Sequence, residues 1–385
     1  MAPGDTTVGS TPTTPIDPEV VEAMAPFLRT HFGNPSSSHV YGRRARDAVD
    51  RARAQVAALI GGAPEEIVFT GSGTEANNMA ILGAVAHADD RGGRLACSAI
   101  EHPAVEKPCR LVGFRGWAVD TIPVDETGLI DMRAADVVIR RETVMVSVMH
   151  SNNEVGTIQP IRELAALAHS RGALMHTDAA QSVGKVSVDV NELGVDALTI
   201  VGHKLYAPKG VGALHIRKGA AIAPTSFGGG QEGGMRPGTE NVALIVALGA
   251  ACEIAGRRLA EDQARLRGLR DRLWLGLQAG VPGIRLNGHA ERRLPNTLNV
   301  SFPGVRGGAV LAAAPDIAAS TGSACHQGEE APSSVLAAMG CERDRALGAV
   351  RLSVGRTTTA EDIGRATANL VTAWRHVRAR ASGGG

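Results

Sequence analysis

The chain has 385 residues, enough for two domains or one large α/β unit. Its 40 basic and 39 acidic residues leave it near neutral, which speaks against a basic nucleic-acid footprint. The five cysteines, Cys97, Cys109, Cys252, Cys325 and Cys341, form neither a CxxC pair nor zinc-ligand spacing, and an odd count suits reduced thiols in a cytosol better than a disulfide framework.

No apolar run is long enough to span a bilayer and the opening MAPGDTTVGSTPTTP has no apolar signal core, so a cytoplasmic, membrane-free protein is expected. Aromatic residues are only 3%, so the core must be built from small aliphatics. The first predicted helix lies in PIDPEVVEAMAPFLRTHFG, with Asp17 as N-cap, Pro18 in the first turn and Val20, Val21, Met24, Phe27 and Leu28 at helical spacing. The second lies in RRARDAVDRARAQVAALIGG, where Val49, Ala52, Val56 and Leu59 repeat the period and Gly61 stops it. Short apolar runs follow at 67–70, 94–99, 143–149, 173–178, 197–201 and 212–216, with helical stretches between many of them. Continuous apolar strands of this kind are covered on both faces, which predicts a largely parallel, doubly wound sheet. From about residue 256 the pattern changes to a long charged helix and then to strands at 296–302 and 349–354. The expected division is a large domain over 16–255 and a smaller α+β domain formed by 1–15 and 256–385.

Four stretches carry chemistry. In VFTGSGTEANNMAILG a strand runs through small residues into a helix, whose N-terminus with the Thr74 hydroxyl suits a phosphate; an ordinary βα turn reads the same way. HTDAAQSVGK ends a strand on Asp178, three residues before Gln181, either a carboxylate at the ligand-binding edge of the sheet or a helix N-cap. ALTIVGHKLYAPKG places Lys204 just beyond a buried strand end, where desolvation lowers an amine's pKa and lets it attack an aldehyde. STGSACHQGEEAPSS, residues 320–334, sets Cys325 among small and polar residues, which by itself reads as a solvated loop. A phosphate cup, a carboxylate for a ring nitrogen and a strand-end lysine are together what pyridoxal phosphate requires.

The set GTEANN, EHPAV, SNNEVGTIQP, HTDAAQSVGK, GHKLYAPKG, RPGTEN, GSACH and VRLSVGR resembles the cysteine desulfurases and the related selenocysteine lyases, pyridoxal-phosphate enzymes of the class V aminotransferase group. The resemblance runs from about Thr13 to Leu370. It implies the type I fold of pyridoxal-phosphate transferases, a mainly parallel seven-stranded sheet between helices with a smaller α+β domain, and a homodimer. By position, Lys204 would form the Schiff base with pyridoxal 5'-phosphate and, once displaced by substrate, remove the α-proton. Asp178 would keep the ring nitrogen protonated, and His102 would stack on the ring and exchange protons. Gln181 and Asn153 would lie by the ring oxygen, with Asn153 also near the substrate. Thr74 and His203 would hold the phosphate, with Thr239 reaching it from the second subunit. Arg351 would clamp the substrate carboxylate with a planar fork. Cys325, twenty-six residues before Arg351, would be the nucleophile that takes sulfur from L-cysteine as a persulfide, leaving L-alanine, and carries it to an acceptor protein. His102 or His326 would deprotonate it. Each residue also has a plainer reading: His102 before Pro103 as a helix cap, Asn153 as a turn residue, Arg351 as a strand-edge ion pair.

Two positions depart from the family. TVGSTPTTP, residues 7–15, keeps only the Thr-Thr-Pro of the usual opening, and Val201 stands where many desulfurases have a phosphate-binding serine. TIVGHK, RPGTEN, RLPNT and GSACH look especially like selenocysteine lyases, whereas Pro103 after His102 does not, so L-selenocysteine is the alternative substrate. A plain aminotransferase would need no Cys325, and a catalytically quiet scaffold would need no cofactor. Iron–sulfur scaffolds, tRNA thiolation, DNA sulfur modification and natural-product assembly all draw on such enzymes, and the sequence does not choose among these acceptors. No direct nucleic-acid binding and no metal site are expected.

Overall fold

The computed structural model describes residues 13–88, 92–322, 325–326 and 329–382. Helix α1 (Pro18–Arg29) starts where the sequence places it, with the Asp17 carboxylate accepting the Glu19 amide at 3.1 Å. Helix α2 (Val40–Leu59) buries Ala45, Val49, Ala52 and Val56 along one stripe, and Gly61 beyond its end takes the left-handed φ of +68° that lets the chain turn.

The main sheet follows: β1 (Ile67–Thr70), α3 (Gly73–Ala88), β2 (Arg94–Ser98), α4 (Pro103–Phe114), β3 (Ala118–Ile122), α5 (Met132–Val138) and β4 (Thr143–Ser147). It continues with α6 (Ile161–Ser170), β5 (Leu174–Asp178), α7 (Val190–Leu193), β6 (Ala197–Val201) and β7 (Gly212–Ile216). These seven strands are ordered β1-β7-β6-β5-β4-β2-β3, and only β7 runs against its neighbours, β1 and β6. The mainly parallel seven-stranded α/β sheet is therefore present, with β6 buried at every position as a strand covered on both faces must be. The sequence pattern names six of these strands. The seventh, β3, is an edge strand with only one of its five residues buried, so it has no apolar run to announce it.

Helix α8 (Val242–Gly280) begins well before residue 256, correcting the expected start of the charged helix. Its first half is apolar enough to lie in the main core through Ile245, Leu248 and Cys252, while Leu266, Leu269, Leu273 and Leu277 of the charged half enter a second core. That second core is built with β8 (Arg285–Asn287), β9 (Thr297–Ser301), α9 (Gly307–Ala312), β12 (Ala349–Ser353) and α12 (Ala360–Ser382). Between α9 and β12 the chain forms β10 (Cys325–His326), β11 (Glu329–Glu330), α10 (Ser334–Ala338) and α11 (Arg343–Leu347), of which α10 and α11 cluster instead with Ile100 and Val155 through Val335, Leu336 and Ala346. Strands β12, β9 and β8 make a three-stranded antiparallel sheet against α8 and α12, and β10 pairs antiparallel with β11.

The two cores meet at Arg356. Its guanidinium pairs with Asp262 at 2.8 Å and Asp17 at 3.3 Å, and lies 4.3 Å from the centre of the Tyr206 ring. Tyr206 itself holds φ +66°, a costly value for a non-glycine residue that persists only where surroundings enforce it. The enforcing contacts are its amide on Thr14 Oγ1, its carbonyl on the Asp17 amide, and its hydroxyl accepting the Arg356 amide.

Candidate active site

The C-terminal ends of the parallel strands converge, as open α/β sheets dictate, on a cavity of ≈ 380 Å³. The loop after β1 and the first turn of α3 contribute Ser72, Gly73, Thr74 and Asn77; the loop after β2 contributes His102; the loop after β4 contributes Met149, Ser151 and Asn153. Asp178, Ala180 and Gln181 come from the end of β5, Val201, His203 and Lys204 from the end of β6, and Arg351 from β12 of the second core. Eight of the ten residues singled out in the sequence thus line one cavity: Lys204, Asp178, His102, Gln181, Thr74, His203, Asn153 and Arg351. Thr239 is not among its lining residues and lies exposed in the stretch before α8. Cys325 has its backbone in β10, and its side chain lies outside the described part of the structure. A larger hollow of ≈ 740 Å³ near α2 and β7 brings no comparable chemistry together.

Burial sets the electrostatics. It pushes the Lys204 amine down to about 8, helped by the nearby Arg351 guanidinium and opposed by Asp178. The Asp178 carboxylate is fixed by Asn77 Nδ2 at 2.7 Å and by the Ala180 amide at 2.9 Å; the chain turns there without starting a helix, so the cavity reading holds for it and the helix-cap reading does not. Asn77 was not singled out in the sequence; its Oδ1 is buried without a partner among the described residues. His102 is indeed the N-cap of α4, its Nδ1 accepting the Ala104 amide at 3.1 Å. That bond keeps the proton off Nδ1 and leaves Nε2 to exchange protons. Burial lowers the His102 pKa, with Asp178 pulling it back up and Lys204 lowering it further. Arg351 donates to the Asn153 carbonyl at 3.0 Å, while its Nε is buried without a partner among the described residues. Burial also lowers its pKa, and Glu154 raises it.

Three further features next to the cavity were not read from the sequence. Lys185, seven residues after Asp178, points its amine at the Gln181 carbonyl, 3.0 Å away. Burial pushes that amine down to about 7, with Lys204 and Arg356 adding to the effect. Glu101, beside His102, accepts the Met149 amide at 2.8 Å and the Ser98 hydroxyl, and burial raises its pKa well above its ordinary value. Thr13 and Thr14, from the retained Thr-Thr-Pro, reach the lysine turn: Thr13 Oγ1 lies 3.2 Å from His203 Nδ1, and the Thr14 amide donates to the His203 carbonyl at 3.0 Å. Residues 7–12 of the divergent opening lie outside the described residues.

The donor set fits pyridoxal phosphate. A helix N-terminus with the Thr74 hydroxyl and His203 offers a phosphate site, Asp178 a carboxylate for a ring nitrogen, and Lys204 a lowered amine for an aldehyde, in one cavity of suitable size. Gly73 explains how Val201 is accommodated there, since a Cβ on Gly73 would stand 2.2 Å from Val201 Cγ2. Among the described residues no His, Cys, Asp and Glu group of three or more is arranged to hold a metal ion, and no helix is long and apolar enough to cross a membrane.

Known proteins resemble this chain along nearly its whole length. The family described as aminotransferase class-V matches residues 8–365. Cysteine desulfurase IscS 1 of Archaeoglobus fulgidus is 44% identical over 355 residues, 92% of either chain. Among solved structures, a NifS-like protein superposes with a TM-score of 0.90 at 34% identity, over 96% of this chain and 99% of its own. SspA, solved in complex with cysteine, superposes with a TM-score of 0.80 at 33% identity, over 90% of this chain and 98% of its own.

Proposed function

The chain belongs to the cysteine desulfurase family within the class-V aminotransferases, and we propose that it converts L-cysteine to L-alanine, passing the sulfur through a persulfide on Cys325 to an acceptor protein. The observation that carries this reading is the convergence of Lys204, Asp178, His102 and Arg351 on one cavity, in a chain whose relatives bear that activity in their names. Pyridoxal phosphate, when bound, supplies an aldehyde for the lysine and a ring that absorbs the negative charge left when the substrate's α-proton departs. Thr74, His203 and Gln181 hold that group, and Asp178 keeps a proton on its ring nitrogen.

The rest is the work of this chain. Arg351 takes the substrate carboxylate in a bidentate fork, a contact worth about 1.5–3 kcal/mol. The lowered Lys204 pKa makes a fraction of its amines neutral near pH 7–8, so the freed Nζ can accept the α-proton. His102, held by its cap bond, presents Nε2 for proton transfer at the same face. The Cys325 thiolate attacks the sulfur of the substrate; an S–S bond forms, the substrate's C–S bond breaks, and its electron pair stays with the carbon that becomes the alanine methyl. Glu101, its pKa raised by burial, ties the His102 loop to the Met149 loop by accepting the Met149 amide.

The division into a large domain over 16–255 and a smaller one over 1–15 and 256–385 is part of the same reading, supported by the two largest clusters of buried side chains, one mainly in each part with α8 threading both. A smaller cluster joins Ile100 and Val155 to Val335 and Leu336 across the division. So are a cytoplasmic location and a homodimer, in which the exposed Thr239 serves the partner subunit's phosphate site. The test is direct. Purified chain reconstituted with pyridoxal phosphate should release alanine from L-cysteine, and Lys204→Ala should abolish that release. Release from L-selenocysteine but not from L-cysteine would replace this reading with selenocysteine lyase.

A further inference from the structure

Glu154 belongs to no role assigned above, yet it occupies a junction. Its turn is fixed from below: the Asn152 side chain accepts the Glu154 amide at 2.8 Å and the Val155 amide at 3.0 Å, and Asn299 of β9 donates to the Glu154 carbonyl at 3.2 Å. Its carboxylate reaches the segment that carries Cys325 at both ends. On the leading side it lies against Gly322, where a Cβ would stand 2.5 Å from Oε2; glycine is required there twice, since φ is +70°. On the trailing side Ser333 Oγ donates to Oε2 at 2.5 Å, while the same oxygen caps α10 by accepting the Val335 amide.

The leading arm has a second tether. Ser320 and Arg351 form an isolated antiparallel bridge, with the Arg351 amide donating to the Ser320 carbonyl at 2.7 Å. The Arg351 side chain in turn donates to the carbonyl of Asn153, the residue before Glu154. The contacts close a circuit: Ser320 to Arg351, Arg351 to Asn153, Glu154 to Ser333 and Gly322. We propose that Glu154 is a positioning residue that clasps the two ends of the Cys325-bearing segment to the cavity wall holding Asn153 and Arg351, and so fixes the reach of the thiol to substrate. The proposal rests on Cys325 being the nucleophile. A thiol held in one place attacks far faster than one that must find its target, and small misplacements cost about tenfold or more.

The carboxylate is suited to the task. It is mostly buried, which raises its pKa, and the Ser333 hydroxyl and the Arg351 charge act in the opposite direction. An isosteric amide would still offer an oxygen to Ser333.

The experiment uses holoenzyme carrying Glu154→Ala, Glu154→Gln or Ser333→Ala. The Cys325 peptide is followed by mass during alkylation with limiting iodoacetamide, and kcat and KM are taken from alanine release. Glu154→Ala and Ser333→Ala should each speed alkylation and lower kcat, both by about tenfold, with KM for cysteine within about threefold of wild type. The double variant should match the worse single one because both remove a single contact, and Glu154→Gln should stay within about threefold of wild type on every readout. Unchanged alkylation and kcat in Ser333→Ala overturns the proposal. So does a rise in KM at constant kcat, which would make Glu154 a partner of Arg351 alone. Full alanine release by Cys325→Ser would sink the nucleophile reading instead, and the substrate-free alkylation rates would still report whether the clasp exists.

Discussion

Lys185 offers a test of the site's electrostatics that needs no substrate. Its amine donates to the Gln181 carbonyl and is pushed by burial from an ordinary lysine value of 10.5 to about 7. Above pH 10.5 it is neutral in both the folded and unfolded chain. As pH falls from there toward 7 the unfolded chain takes up the proton and the folded chain does not, so stability is lost through that window and levels off below it. At about 1.4 kcal/mol per pH unit the loss reaches roughly 5 kcal/mol, an upper figure because water entering the fold would relieve it. Lys185→Met removes the titration while filling similar space, and gives up one hydrogen bond worth about 1 kcal/mol. Urea midpoints of the cofactor-free chain, measured for wild type and variant from pH 7 to pH 10, isolate the effect as a difference. The variant should gain on wild type steadily as pH is lowered. A difference that does not change with pH would mean the amine keeps its proton in the folded chain, and the desolvated character argued for this end of the site would be wrong.

Arg351→Gln should raise KM for cysteine by about thirtyfold with kcat changed much less, as expected for loss of roughly 2 kcal/mol of charge-assisted hydrogen bonding; an unchanged KM would remove it from the substrate carboxylate. Arg356→Met leaves Asp262 and Asp17 short of their cation at the junction of the two cores and frees the Tyr206 ring. It should cost about 3 kcal/mol in denaturant unfolding, and a loss below about 0.5 kcal/mol would show the network to be solvated.

Much of this was legible in the sequence because the signals are local. Asp17 and Pro18 mark a helix start by chemistry that acts over a few bonds, and 67–70, 197–201 and 212–216 coincide with β1, β6 and β7. Asp178 and Lys204 were visible because a charged residue at the end of a buried strand is unusual. Strand β3 was hidden because an edge strand needs no apolar run, and the start of α8 because its apolar half resembles core rather than the amphipathic helix that follows. What no local pattern could give is pairing across the chain. Asn77 with Asp178, Thr14 on the lysine turn and Glu154 on Ser333 each join residues that only the fold brings together. His102 shows the two readings need not compete, since it is both helix cap and cavity wall.

The central claim is that a thiol of this chain receives sulfur from cysteine. The measurement that meets it most directly is alanine release from L-cysteine by wild type and Cys325→Ser side by side, each loaded with pyridoxal phosphate and supplied with a reductant. The account predicts alanine and sulfide from wild type, and alanine release reduced by at least about a hundredfold in the variant. Equal alanine release from both proteins would contradict it.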